Sequence, residues 1–166
     1  WYAASCLAPL GRLDEALDEQ LAAQALDPVS SIVARDVAVI HYYRRDFETA
    51  LEQCDHTIAL NPHFAPAYWT LGVIQEQRHE FDEAIAAFRR AVYLAPKAPR
   101  VHGALGRTFA LSGRKRLAIE VLKKALEIDP KYAPAHWELG DKYDDPALRL
   151  GGWKIALGLE PHRDDW

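Results

Sequence analysis

Apolar residues recur along the chain in short blocks at helical spacing, separated by polar breaks. Between residues 81 and 94, Ala84, Ile85, Phe88, Ala91 and Val92 fall on one side of a helix, the pattern of an amphipathic helix with one buried stripe. Leu117, Ala118, Val121, Leu122 and Ala125 repeat that pattern one block later, and Tyr68, Leu71, Gly72 and Ile74 form a one-sided stripe upstream. The polar stretches around Gln77–Phe81 and Leu111–Lys115 separate these stripes. The reading is a series of helix pairs.

Prolines set the period. Pro28, Pro62, Pro96 and Pro130 stand 34 residues apart, and Ala16, Ala50, Ala84 and Ala118 each precede one of them by twelve. Proline cannot continue a helix interior, so each marks the end of a second helix. Pro66, Pro99 and Pro134 fall where the next helix begins, in the first turn where proline is tolerated. The small residues Gly72 and Ala84 are expected where two helices of one pair approach closely, with Phe88 and Leu122 filling space toward the neighbouring unit. A 34-residue helix pair cannot bury both faces alone, so the units must stack.

On these residues the chain resembles the tetratricopeptide repeat family. Its pattern of Trp-x2-Leu-Gly-x2-Tyr, Ala-x3-Phe, Ala and Pro is matched by Tyr68, Leu71, Gly72, Gln75, Ala84, Phe88, Ala91 and Pro96. The next unit matches through His102, Leu105, Gly106, Phe109, Ala118, Leu122, Ala125 and Pro130. A more diverged unit precedes them, with Ala34, Val37, Ala38, His41, Ala50, Cys54, Thr57 and Pro62. The resemblance implies an all-α fold, an α-α superhelix (solenoid) of stacked antiparallel helix pairs. It divides the chain into a partial repeat at 1–30, repeats at 31–64, 65–98 and 99–132, and a degenerate or shortened terminal repeat at 133–166. In that last unit Lys154 to Pro161 echoes Lys123 to Pro130 at an interval of 31 rather than 34, and Gly151-Gly152 stands where helix formers are expected.

Composition adds two points. The chain has 166 residues and a net charge of −4, which disfavours a general nucleic-acid binder. Residues 1–96 carry 7 basic and 14 acidic groups, residues 97–166 carry 13 and 10, and all the Lys lie in the second part. No apolar run reaches the roughly 20 residues of a membrane helix. The chain begins at Trp1 and contains no Met, the composition expected of an internal piece of a longer protein.

Candidate chemistry is sparse. No nucleophile elbow, phosphate-binding Gly loop or His-Glu-x-x-His pair occurs. The chain is therefore read as non-enzymatic, with no cofactor and no metal. Cys6 and Cys54 occupy core-facing helix positions and are expected to be buried thiols, and two unpaired Cys are compatible with a reducing cytoplasm. His102 and His136, one repeat apart, are read as occupants of an aromatic slot. The cluster Arg107, Arg114, Lys115, Arg116, Lys123 and Lys124 is read first as a solvated charged face, and second as a contact for an acidic partner.

Function is expected on the concave side. In the family the first helices of the units line a groove that holds a protein or peptide partner. The resemblance places that groove at Trp1, Tyr2, Arg35, Val39, Tyr42, Trp69, Val73, Glu76, Arg100, Arg107, Trp137 and Asp141. The Lys and Asn clamp of the family's chaperone-tail binders is not reproduced: Arg35 with Val39, Thr70, and Arg100 with Ala104 stand there. The expected role is a protein-interaction scaffold. Its alternative is the regulatory or docking segment of a larger enzyme or of a transcriptional or signalling regulator. Self-association through the exposed end of the stack is a further expectation.

Overall fold

The computed structural model describes residues 11–142, apart from the side chains of Asp141 and Lys142. Among the described residues the chain forms α-helices and no strand: α1 (Leu13–Leu26), α2 (Ser31–Tyr43), α3 (Phe47–Leu60), α4 (Ala65–Gln77), α5 (Phe81–Leu94), α6 (Pro99–Leu111), α7 (Lys115–Ile128) and α8 (Ala133–Lys142). The helices α2, α4, α6 and α8 begin at 31, 65, 99 and 133, and α1, α3, α5 and α7 at 13, 47, 81 and 115. Both series step by the 34 residues of the proline period. The expected class, a helical-repeat solenoid, is the one the chain adopts. Trp1, Tyr2, Cys6 and the irregular stretch from Gly151 to Pro161 lie outside the described residues.

Two compact units divide at Leu94 and Ala95. In the first, α2 packs on α3 and α4 on α5, while α1 lies on α2, and α4 on both α3 and α2. In the second, α6 packs on α7, and α8 on both. The tightest contacts are those within a pair, because each pair is joined by a turn of only three residues.

These turns share one backbone form. Arg45, His79 and Gly113, again 34 apart, have φ of 62°, 62° and 78°. At each, two hydrogen bonds close the preceding helix: Arg45 N to Tyr42 O and Asp46 N to His41 O, His79 N to Glu76 O and Glu80 N to Gln75 O, Gly113 N to Ala110 O and Arg114 N to Phe109 O. This is the Schellman ending, which satisfies carbonyls that would otherwise lack donors. Gly11 has the same geometry, φ 74°, one period before Arg45. Asp46 both ends the α2 turn and caps α3, its carboxylate accepting from Thr49 N at 3.3 Å. Hydrogen bonds from Thr49, with a further contribution from His41, hold the Asp46 carboxyl below its ordinary range.

Inside the α4–α5 and α6–α7 pairs a glycine faces a large side chain. A Cβ on Gly72 would stand 2.8–2.9 Å from the Phe88 ring, and one on Gly106 would stand 2.6 Å from Leu122 Cγ. Phe88 and Leu122 are both fully buried. Their expected orientation is thereby revised: each first fills the hollow left by the glycine of its own pair. Leu122 also shares a core with Ala125, Ala135 and Leu139, and so joins α7 to α8. In the first unit Ala38, Ala50, Cys54 and Ile74 form the equivalent core, with Tyr42, Phe47, Leu51 and Leu71 packed against it. Val33, Ala67, Val101 and Ala135, all buried, recur 34 residues apart at one position of the first helices, where little room is left for a larger side chain.

Candidate functional site

The residues expected to line a groove lie on the first helices of the pairs. In the first unit, Arg35, Val39 and Tyr42 form one stripe of α2, and Trp69, Val73 and Glu76 the corresponding stripe of α4. Because α2 and α4 pack on each other, the stripes belong to adjacent helices. Arg35, Val39, Tyr42, Trp69 and Val73 are half-buried, whereas Glu76 is only 6% exposed. Arg35 Nη1 lies 3.0 Å from Asp36 Oδ1. Tyr42 is turned toward the core, with its ring edge-on to Tyr43 at 5.4 Å and tilted against Phe47 at 6.1 Å. Thr70 faces inward, its hydroxyl donating to Pro66 O at 3.0 Å.

In the second unit α6 and α8 are adjacent. Arg100 is exposed and Arg107 half-buried on α6, and Trp137 on α8 is 55% exposed. Asp141 belongs to α8, but its side chain is outside the described residues, as are Trp1 and Tyr2. Position 103, which corresponds to Trp69 and Trp137 in the neighbouring repeats, is Gly. The space is taken by an aromatic from elsewhere: a Cβ on Gly103 would meet Tyr132 Cε1 at 2.5 Å and its hydroxyl at 2.8 Å. Tyr132 sits in the α7–α8 turn, fixed by its backbone N–H donating to Asp129 O at 3.0 Å. Sequence reasoning missed Tyr132. The missing aromatic at 103 in a series that reads Trp69, Gly103, Trp137 was the available signal.

A second recurring position proves structural. His102 Nε2 lies 2.9 Å from Pro96 O and His136 Nε2 2.8 Å from Pro130 O, and the Tyr68 hydroxyl donates to Pro62 O at 3.2 Å. A carbonyl only accepts, so each His carries its proton on Nε2. The ring thus ties the start of a first helix to the proline that ended the previous one. The aromatic slot expected for the two His has this bond as its content.

Ion pairs recur as well. Arg44 Nη1 reaches Asp14 Oδ1 at 2.7 Å, and Arg78 Nη1 reaches Glu48 Oε1 at 2.7 Å, thirty residues back in both cases. Arg78 Nε also meets Glu80 at 2.7 Å. The hydrogen bonds to Glu80 and Glu48 push the Arg78 guanidinium up. Such exposed pairs fix geometry more than they stabilise.

Burial, with a smaller contribution from nearby Asp55, pushes the fully buried Cys54 thiol up to about 12. At neutral pH it is an unreactive thiol and a core side chain. Among the described residues no group of three His, Cys, Asp or Glu side chains is arranged to hold a metal ion. No described helix is long and apolar enough to cross a membrane.

The paired helices, the 34-residue step and the repeated Gly–Phe or Gly–Leu contact define a class of helix-turn-helix repeat. The tetratricopeptide repeat family model matches residues 38–99 and 79–133, more than half of the chain, and the protein belongs to that family. No curated protein matches the sequence. Among solved structures, MamA is similar over 98% of this chain and 97% of its own, with 23% identity and a TM-score of 0.73. PilF of Pseudomonas aeruginosa is similar over 98% of this chain and 75% of its own, with 17% identity and a TM-score of 0.82. YrrB, described as a tetratricopeptide repeat protein with an unusual peptide-binding site, covers 96% and 84%, with 18% identity and a TM-score of 0.65. At these identities the likeness is one of fold.

Proposed function

We propose that this chain is a non-catalytic interaction scaffold that binds a peptide or helical segment of a protein partner along the first-helix faces of its repeats. The observation that carries the proposal is Trp137, more than half exposed on α8. Trp is among the side chains that carry most binding energy at interfaces. The half-buried Trp69 at the equivalent place on α4 supports the same reading. Arginines at 35, 100 and 107 supply orientation, since guanidinium groups bind planar acceptors with two parallel bonds. The site sits on packed helices, so little ordering cost falls on the protein when a segment binds. The peptide-binding site described for YrrB agrees with such a use of the fold.

The test is selection of a displayed random-peptide library on the intact chain and on the variant Trp69→Ala with Arg100→Ala. The intact chain is expected to enrich a family of related peptides. The variant, with unchanged helicity by circular dichroism, is expected to bind those peptides at least tenfold more weakly. Equal affinity of the two proteins would remove this face from the proposal.

A further inference from the structure

We propose that the outward face of α1 docks a basic amphipathic helix of a partner protein, on a surface separate from the first-helix faces. Leu21 and Leu26 stand on that face, 46% and 89% exposed, with the exposed Ala22 and Ala25 between them. Residues spaced one, four and five apart share one side of a helix. Val29, in the turn that follows, is 73% exposed. The other second helices show that this stripe is no seam between repeats. α3 has both α2 and α4 packed on it, yet it leaves Asp55, His56 and Ala59 exposed where α1 has Leu21, Ala22 and Ala25. At the first two of these positions α5 carries Arg89 and Arg90, and α7 carries Lys123 and Lys124. Val29 corresponds to His63, Lys97 and Lys131. Leu26 corresponds to Leu60, Leu94 and Ile128, which are all half-buried. Three columns that are polar in the later repeats are thus aliphatic or small in the first, and a fourth has lost its cover. Contiguous exposed apolar surface of this kind marks an interaction site.

Charge decides which partner fits. From Leu13 to Ala34 the chain has five acidic side chains and no Lys or Arg. Asp14 is held by Arg44, and Glu15 by Arg12. Asp18, Glu19 and Asp27 are exposed and form no ion pair among the described residues. Asp18 stands three residues before Leu21, and Asp27 directly follows Leu26, so carboxylates bracket the aliphatic stretch. An apolar stripe between carboxylates that lack counter-charges accepts a helix whose own stripe is apolar and whose flanks carry Lys or Arg. The same carboxylates repel an anionic membrane surface and a nucleic-acid backbone.

Exposed positions allow substitutions that spare the fold. Leu21→Asp with Val29→His installs the residues of the next repeat, and Asp18→Asn with Asp27→Asn removes two charges at nearly constant shape. Both variants are expected to keep the parent's helicity and melting temperature. The probe is a displayed library of helical peptides in which Leu recurs at spacings of three and four. Every other position of the library is Lys, Arg, Glu, Gln or Ala. The intact full chain is expected to enrich related members of net positive charge. A peptide so selected is expected to bind Leu21→Asp with Val29→His about tenfold more weakly, although that variant is more acidic. Asp18→Asn with Asp27→Asn is expected to weaken it about threefold and to flatten its salt dependence. Trp69→Ala with Arg100→Ala is expected to bind it as the intact chain does. No enrichment, enrichment of neutral or acidic members, or equal affinity for the intact chain and Leu21→Asp with Val29→His would overturn the proposal. Lost binding to Trp69→Ala with Arg100→Ala would seat the peptide on the first helices and overturn it too. Sedimentation equilibrium is expected to show no dimer of the intact chain that Leu21→Asp with Val29→His dissociates. Such a dimer would assign the face to a second copy instead.

Discussion

The contact between Gly106 and Leu122 gives the sharpest prediction about what holds a helix pair together. A methyl group added by Gly106→Ala would lie 2.6 Å from Leu122 Cγ, 2.8 Å from Cδ2 and 3.4 Å from Leu122 N. Carbon atoms rest at about 3.5–4.0 Å, so the methyl intrudes by roughly 1 Å. Leu122 is itself fully buried, in a core with Ala135 and Leu139. Overpacking of this kind costs about 1–3 kcal/mol. Replacing a helical Gly by Ala returns about 1 kcal/mol through propensity. The single substitution is therefore expected to destabilise by about 1 kcal/mol net. A double-mutant cycle separates the two effects, because the propensity gain is common to both backgrounds and cancels. Leu122→Ala alone is expected to cost about 2–5 kcal/mol. In the Gly106→Ala background the clash is gone and part of the cavity is filled, so the cost is expected to fall by about 1–3 kcal/mol. Urea unfolding of the four proteins, followed by circular dichroism at a helical wavelength, measures that coupling. Additivity within about 0.5 kcal/mol would refute the claim that this contact sets the α6–α7 spacing.

The remaining predictions concern the turn and the core. Gly113→Ala is expected to destabilise by about 1–2 kcal/mol even though an added Cβ meets nothing within 4 Å, because φ is +78° there. An unchanged urea midpoint would show that the turn can adopt another form. In a Cys6→Ser background, Cys54 is expected to resist thiol reagents in the native state at neutral pH and to react fully in urea; rapid native labelling would contradict its burial. The folded-state pKa of Cys54, pushed up to about 12, lies above that of the unfolded chain. Its contribution to stability is therefore present at neutral pH and lost as pH rises from the ordinary thiol range toward 12. A urea midpoint for the Cys6→Ser protein that falls with alkali more steeply than that of Cys6→Ser with Cys54→Ala is the expected sign.

The repeat architecture was legible because its signals are local and recur: proline at the end of a second helix, proline again at the next start, and a 3.6-residue apolar stripe between. What stayed hidden depended on contacts the period does not encode. The left-handed turn residue is glycine at 11 and 113 but Arg45 and His79 in between, so no single residue type marks it. Phe88 points into its own pair because Gly72 leaves a hollow there, a fact about facing helices rather than spacing. Trp69, Val73 and Glu76 share a helical stripe, yet packing leaves the first two half-buried and Glu76 almost wholly covered. Tyr132 escaped notice for a similar reason. It reaches Gly103 from 29 positions further along the chain, out of a turn that sequence reads only as a connection.

The bonds from Tyr68, His102 and His136 to the prolyl carbonyls each span six residues, and the Schellman bonds span no more than five. The junctions between helices are thus specified by short stretches of chain, each able to form before distant parts have met. Little loop-closure entropy stands in the way of such contacts, and chains dominated by them fold fast for their length. Folding can accordingly begin at any helix pair and spread to its neighbours, and the best-packed pair sets the rate at which the array first takes shape.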